Sequence, residues 1–285
     1  MRRAIPLLLF TLTACVATTP QAAPQVATTP AVAPAPCDPG HSILNATLWM
    51  QTSAEYRAVA LEIFANARRA LDSALTNPMA TGALEEKTND PTQPPAIILD
   101  LDETVLDNGE FESRAIRAHT TYESKMWKAW SAEGAARAIP GAAEFLAYAK
   151  SRGVTPFYIT NRDLSEEPGT RRNLEQLGFP LDPNVDTLLM QGKNGWTTSD
   201  KSPRRAYVAA THRILLVLGD DLNDFASASG KTIAERNAIV DSVGNWWGEV
   251  WFILPNPMYG SWERAAVTQG GTPCEQVQKK VDALR

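Results

Sequence analysis

The 285-residue chain predicts an α/β fold, a mostly parallel sheet covered by helices on both faces. Two observations carry this. Short apolar runs rich in β-branched and aromatic residues alternate with segments of helical periodicity, the signature of strand–helix–strand units. And the strand-like runs end abruptly on polar residues (Asp100, Thr160, Asp220, Asn256), where open parallel sheets bind their ligands.

The elements follow in order. Met1-Arg2-Arg3 is a positive n-region, and Ala4 to Leu12 is an apolar stretch too short to span a membrane. Leu12-Thr13-Ala14-Cys15 resembles a bacterial lipobox, which makes residues 1–14 a lipoprotein signal peptide and Cys15 the lipidated first residue of the mature chain. An ordinary secretory peptide cut elsewhere is the alternative. Val16 is not aspartate, so sorting to the outer membrane is expected. Residues 15–40 are uncharged apart from Asp38 and rich in Ala, Pro and Thr, a semi-extended tether. With Cys15 lipidated, Cys37 and Cys274 remain, and in an oxidising compartment they can pair and tie the ends of the folded region together; two free thiols are the alternative.

A domain over 41–285 follows: a helical part over 41–94, an α/β core over 95–265 and a C-terminal helix over 266–285. Leu48 to Leu75 has helical spacing, and Thr52-Ser53-Ala54-Glu55 fits a capping box. Residues 76–95 read as a loop. A strand over 96–99 is followed by a helix from Pro140 to Gly153, a strand over 155–159, a helix over 169–177 and a strand over 187–190. Ser202-Pro203 reads as cap and first residue of another helix. Strands over 214–218 and 250–254 complete the alternation.

The stretch IILDLDETVLDN (97–108) holds the chemistry. An apolar strand stops at Asp100, and Asp102, Glu103 and Asp107 follow. Carboxylates crowded at a strand end must stay solvated or be neutralised by a cation. Asp100 and Asp102 with Asp220 form an all-oxygen set suited to one Mg²⁺. Thr160 adds a hydroxyl and Lys201 an ammonium, and together these make a phosphoryl-transfer site. Asp100 is then the nucleophile and Asp102 the general acid and base.

These residues resemble the haloacid dehalogenase (HAD) superfamily phosphatases: Asp100-Leu101-Asp102-Glu103-Thr104 as motif one, Thr160 as motif two, Lys201 as motif three and Gly219–Asp224 as motif four. More narrowly, Ile98–Asn108 and Gly219–Phe225 are similar to the two signatures of subfamily IIIB, the bacterial class C acid phosphatases or lipoprotein 5′-nucleotidases. Trp49–Tyr56 and Leu254–Gly260 match as well. The resemblance implies a HAD-like Rossmannoid parallel sheet with a small α-helical cap inserted near 108–139. It implies Asp100, the Asp102 backbone carbonyl and Asp220 as metal ligands with Asp224 supporting them. It also implies Thr160 and Lys201 on the phosphoryl oxygens, and substrate binding by Trp127, Tyr259, Phe111 and Asn161. Phe111 stands where the family usually has Tyr, and Asp221 where it has Asn or Glu.

The implied activity is Mg²⁺-dependent hydrolysis of phosphomonoesters, among them nucleoside 5′-monophosphates, nicotinamide mononucleotide and aryl phosphates, at the bacterial cell envelope. Rival readings are weaker. An EF-hand needs Asp or Asn and then Gly where Thr104 and Val105 stand. Gly230-Lys231-Thr232 mimics the end of a nucleotide-binding loop, but Phe225 occupies its first Gly position. Taken alone, Asp220 and Asp224 fit an acidic helix start, Lys201 a surface lysine, and Trp127 with Trp130 either core or substrate box. A lipid-anchored binding protein on a HAD scaffold with vestigial activity is the rival function, and intact motifs one to four speak against it. The net charge of −5, with no basic block, argues against nucleic acid as a partner. A monomer and a homodimer are both compatible with the sequence.

Overall fold

A computed structural model describes residues 37–87 and 90–285; the leader, Cys15 and the tether up to residue 36 lie outside the described residues. The folded unit begins at Cys37, whose sulfur is bonded to Cys274 across 237 positions. Among the described residues no helix is long and apolar enough to cross a membrane.

The expected first helix is two helices, α1 (Leu44–Thr52) and α2 (Ala54–Thr76). The chain is extended at Ser53, whose hydroxyl accepts from Tyr56 N–H at 3.0 Å, so the cap is Ser53 rather than Thr52. Thr52 Oγ1 instead donates to the Leu48 carbonyl one turn back. α2 buries Tyr56, Ala60, Phe64, Ala67 and Leu71 along one stripe.

Strand β1 (Pro95–Leu99) is the middle of the sheet. After it comes an insertion bounded by a short antiparallel ribbon, β2 (Leu106–Asp107) with β3 (Arg137–Ala138). Between these lie α3 (Gly109–Arg117) and α4 (Ser124–Glu133), at the place expected for the cap. Helix α5 (Ala142–Ser151) starts after Gly141, two residues later than Pro140 suggested. It leads into β4 (Thr155–Asp163), then α6 (Glu167–Gln176), β5 (Leu188–Gln191), α7 (Ser202–Ala209) and β6 (Arg213–Gly219). One helical turn, α8 (Leu222–Phe225), precedes α9 (Ile233–Ser242), β7 (Trp251–Ile253), α10 (Ser261–Ala266) and α11 (Pro273–Asp282).

At α7 Ser202 is the first helical residue and Lys201 the N-cap, with no side-chain cap bond of its own; the Asp200 carboxylate, one residue further out, accepts from Ser202 N–H (3.0 Å) and Oγ (2.8 Å). β4 also runs past Thr160, to Asp163, with its register against β5 shifted over the last residues.

Five strands pair in the order β5-β4-β1-β6-β7, all parallel. Side chains alternate across the pleat, so Ile97 and Leu99 join the core beneath α2 and α5, while Ala96 and Ile98 join a second cluster with Val208, Phe225 and Trp251. Burial on both faces is why β1 and β6 read as unbroken apolar runs. From β1 the chain winds outward to β4 and β5, then crosses back to β6 and winds outward the other way. The reversal lies between β1 and β6, and open parallel sheets bind their ligands beyond the carboxyl ends of the strands at such a point.

Candidate active site

Asp100 leaves β1 with its N–H bonded to the Leu218 carbonyl of β6 at 3.0 Å, which sets it beside the end of that strand. Asp220 and Asp224 arrive from the turn after β6. Asp100, Asp220 and Asp224 each offer a carboxylate oxygen within 4.8 Å of the others. Lys201, only 4% exposed just ahead of α7, donates to Asp100 Oδ1 and to Asp224 Oδ1 (2.6 Å).

Asp224 is fixed from its other side, where Oδ2 accepts from the N–H groups of Asp220 (3.1 Å) and Asp221 (2.9 Å). Thr104 Oγ1 donates to Asp220 Oδ1 at 3.4 Å and Asn256 Nδ2 to its Oδ2 at 2.8 Å. The polar ends of three strands, Asp100, Asp220 and Asn256, thus converge.

Burial sets the electrostatics. It pushes the Asp220 carboxyl well above the usual carboxylate range, helped by the charges of Asp224 and Asp100. It raises Asp100 and Asp224 too, with the Lys201 ammonium pulling the other way. For Lys201 burial alone would favour the neutral amine, but Asp100 and Asp224 outweigh it and hold the proton on. Three carboxylates against one ammonium leave the pocket short of positive charge. A divalent cation on hard oxygens satisfies that deficit, so the donor set fits Mg²⁺.

Asp102 faces elsewhere. Its carboxylate is absent from the cluster and accepts from Arg162 Nη2 (2.7 Å) and Nε (3.0 Å) and from Asn108 Nδ2 (2.9 Å). Thr160 Oγ1 stands 3.4 Å from Asp102 Oδ2 and accepts the Arg162 N–H. Asp224, expected as a support, also offers an oxygen to the carboxylate group, although both its oxygens already accept hydrogen bonds from Lys201 and the N–H groups of Asp220 and Asp221.

The substrate-binding expectations fare unevenly. Trp127 on α4 is half-buried, with ring neighbours Phe111 (centroids 5.1 Å apart) and Tyr122 (6.2 Å). Phe111 is only 1% exposed, so it backs Trp127 as core and offers no open face. Tyr259 lies on the loop after β7, half-buried against the same core cluster. Asn161 is exposed, with its Oδ1 accepting from Arg204 Nη2 at 2.6 Å. Asp221, which departs from the family's Asn or Glu, caps α8 through Asn223 N–H and accepts from Ser261 N–H (2.6 Å) and Oγ (2.5 Å), while its charge still helps to raise the Asp220 and Asp224 carboxyls.

Several buried polar residues escaped the sequence reading. Glu103 is fully buried at φ +57°, and Oε1 accepts from Asn108 N–H at 2.8 Å. Burial first, then the charges of Asp102 and Asp220, push its carboxyl far up. Arg204, fully buried, donates to the Thr160 carbonyl at 2.6 Å and so braces β4 at Thr160; burial lowers it to about 10. Arg205 holds Glu85 and the Asp224 carbonyl. The one available signal was Lys201-Ser202-Pro203-Arg204-Arg205, three cations packed around a helix start.

A carboxylate cluster with its own lysine, at the reversal point of a parallel sheet, defines an α/β enzyme built to handle phosphate. Comparison with known proteins agrees. Residues 9–262 match the model of HAD superfamily, subfamily IIIB (Acid phosphatase), and the chain belongs to that family. Its structure is similar to that of the class C acid phosphatase from Bacillus anthracis, at 33% identity and a TM-score of 0.75, covering 87% of this chain and 99% of that one. The tungstate-bound form of that protein gives 34% identity and a TM-score of 0.73, with 87% and 98% covered. The HAD-like fold and the activity of a phosphomonoesterase on small-molecule substrates follow for this chain.

Proposed function

We propose that this chain is a Mg²⁺-dependent acid phosphatase that hydrolyses nucleoside 5′-monophosphates, nicotinamide mononucleotide and aryl phosphates at the bacterial cell envelope, anchored through lipid on Cys15, in the outer membrane. The observation that carries the reading is the buried Asp100–Lys201–Asp224 array beside Asp220, with Asp102 held separately opposite Thr160. Tungstate, a tetrahedral oxyanion, in the Bacillus relative supports a phosphate site of this kind.

Asp100, the Asp102 backbone carbonyl and Asp220 would hold one Mg²⁺, with Asp224 behind them. Bound there, the ion supplies positive charge that screens the approach of an anionic phosphate to an anionic nucleophile.

The chain's own residues do the rest. An Asp100 carboxylate oxygen attacks phosphorus while the bond from phosphorus to the ester oxygen breaks, and the electron pair leaves with that oxygen. Asp102 gives it a proton, and the free alcohol departs. Asp102, now ionised, takes a proton from water as that water attacks the aspartyl-phosphate. The Asp100–phosphorus bond breaks and orthophosphate is released, returning both residues to their starting states. Thr160 and Lys201 hold the phosphoryl oxygens by hydrogen bond and charge. Trp127 and Tyr259 offer aromatic faces to a base or aryl ring.

The test is turnover of p-nitrophenyl phosphate and a 5′-nucleotide between pH 4 and 8 with added Mg²⁺. Chelation should abolish it and Mg²⁺ restore it, and Asp100→Asn should lower kcat by on the order of 10³ or more. Wild-type protein inactive across that range refutes the reading. For the anchor, Cys15→Ser should move the protein from the membrane to the soluble fraction of the producing bacterium; unchanged membrane recovery would refute lipidation.

A further inference from the structure

The Asp102 carboxylate is bound asymmetrically. Its Oδ1 accepts from Arg162 Nη2 (2.7 Å), Asn108 Nδ2 (2.9 Å) and Arg162 Nε (3.0 Å). Its Oδ2 has longer contacts only, 3.3 Å from Arg162 Nε and 3.4 Å from Thr160 Oγ1. One oxygen is saturated and the other is comparatively free.

The donors are themselves braced. Arg162 is 3% exposed and lies two residues past Thr160 on β4, so both side chains emerge on the same face. Its Nη1 donates to Thr170 Oγ1 of α6 at 3.1 Å, and its Nη2 reaches Asn108 Oδ1 at 3.3 Å. The guanidinium lies over the Trp127 ring, 5.3 Å from its centroid. Asn108 Oδ1 also accepts from Trp130 Nε1 at 2.9 Å. Two tryptophans of the inserted helix α4 therefore steady the two residues that grip Asp102.

We infer that Arg162 is a positioning residue for the acid/base. Its planar fork, held by Thr170 and Trp127, fixes the Asp102 carboxylate so that Oδ2, beside Thr160, is the oxygen that exchanges the proton. The inference rests on the proposed acid/base role of Asp102. A guanidinium holds several donors in one rigid plane, here Nη2 and Nε both on Oδ1, whereas an ammonium is a point charge that lets the carboxylate turn. Orientation matters because general acid catalysis, worth about 10²–10⁴-fold, requires the proton to lie within hydrogen-bond reach of the leaving oxygen.

The experiment uses kcat/KM for two substrates. p-Nitrophenolate is a stable anion that leaves without a proton, whereas the 5′-oxygen of a nucleotide needs one. Arg162→Lys should lower kcat/KM for the nucleotide about tenfold or more beyond its effect on p-nitrophenyl phosphate. Inhibition by inorganic phosphate should change little. Thr170→Val, which removes only the brace on the guanidinium, should shift the ratio the same way by a smaller factor and keeps the test alive if Arg162→Lys fails to fold. Equal losses on both substrates would mark Arg162 as purely structural and overturn the inference, as would an unchanged ratio with full activity. Failure of wild-type protein to turn over either substrate would instead remove the phosphatase reading.

Discussion

Gly219→Ala probes how tightly β6 is built against the carboxylate cluster. A Cβ at Gly219 would lie 2.3 Å from Asp224 Oδ2, 2.4 Å from its Cβ and 2.6 Å from its Cγ. Non-bonded carbons need about 3.5 Å, so one of the two residues must yield by roughly 1 Å. The strand is poorly placed to do so, because the Gly219 carbonyl accepts from Leu254 N–H at 2.8 Å. Asp224 is no freer, gripped by Lys201 and by the N–H groups of Asp220 and Asp221.

Overpacking of this kind costs about 1–3 kcal/mol. Loss of one charge-assisted hydrogen bond adds about 1.5–3 kcal/mol. A destabilisation of roughly 2.5–6 kcal/mol is therefore expected, read from urea unfolding followed by circular dichroism. Because Lys201 bridges Asp224 and Asp100, displacement of Asp224 also moves the nucleophile's partner. A misplacement of about 1 Å can cost on the order of 10²-fold in rate. The assay is p-nitrophenyl phosphate turnover over a Mg²⁺ titration, in which the variant should show both a lower maximum and weaker activation. A variant with wild-type stability and wild-type kcat would show that the close approach constrains nothing.

Two further perturbations test the frame around the site. Replacing Cys37 and Cys274 together by Ser opens a loop of 237 positions, and chain-entropy arithmetic sets an upper figure of about 5.5 kcal/mol, with about 2–5 kcal/mol usual for a native bridge; equal guanidinium midpoints for variant and oxidised wild type would refute the bridge. Glu112, 5% exposed on α3, is pushed by burial from 4.5 to about 7, so between those values the folded protein holds a proton that the unfolded chain releases. Stability should therefore be full below about pH 4.5 and be lost as pH rises toward 7, by up to roughly 3 kcal/mol at about 1.4 kcal/mol per pH unit. Glu112→Gln should flatten that slope in unfolding curves taken at several pH values, and an unchanged slope in the variant would rule the residue out.

Most of the sheet was legible because its signals are local. Ile97–Leu99 and Ile214–Leu218 are apolar runs followed by aspartates, Asp100 directly and Asp220 after Gly219, and a strand buried on both faces requires the first while a site at the strand ends requires the second. The errors at element edges were local too. Ser53 took the cap from Thr52, and ahead of α7 Lys201 is the N-cap while the Asp200 carboxylate takes the Ser202 N–H, because neighbouring side chains compete for the same N–H groups and only geometry selects the winner.

The sequence by itself determined the alternating α/β plan, the chemical identities of Asp100, Asp102, Thr160, Lys201 and Asp220, and the cysteine pair at the two ends of the domain. Tertiary structure alone decided which charges meet. Asp102 and Arg162 are 60 positions apart, and nothing in either segment's periodicity announces the other. Likewise Asp221 follows Asp220 directly, yet one carboxylate joins the cluster while the next is drawn off to Ser261. Glu103, an acidic residue directly after Asp102, is sealed completely, and Phe111 is packed behind Trp127. Periodicity along a chain reports which face a side chain takes, but its partner across the crevice depends on strand order and on the burial that follows from it. A carboxylate's charge and orientation are properties of that partner as much as of the residue itself.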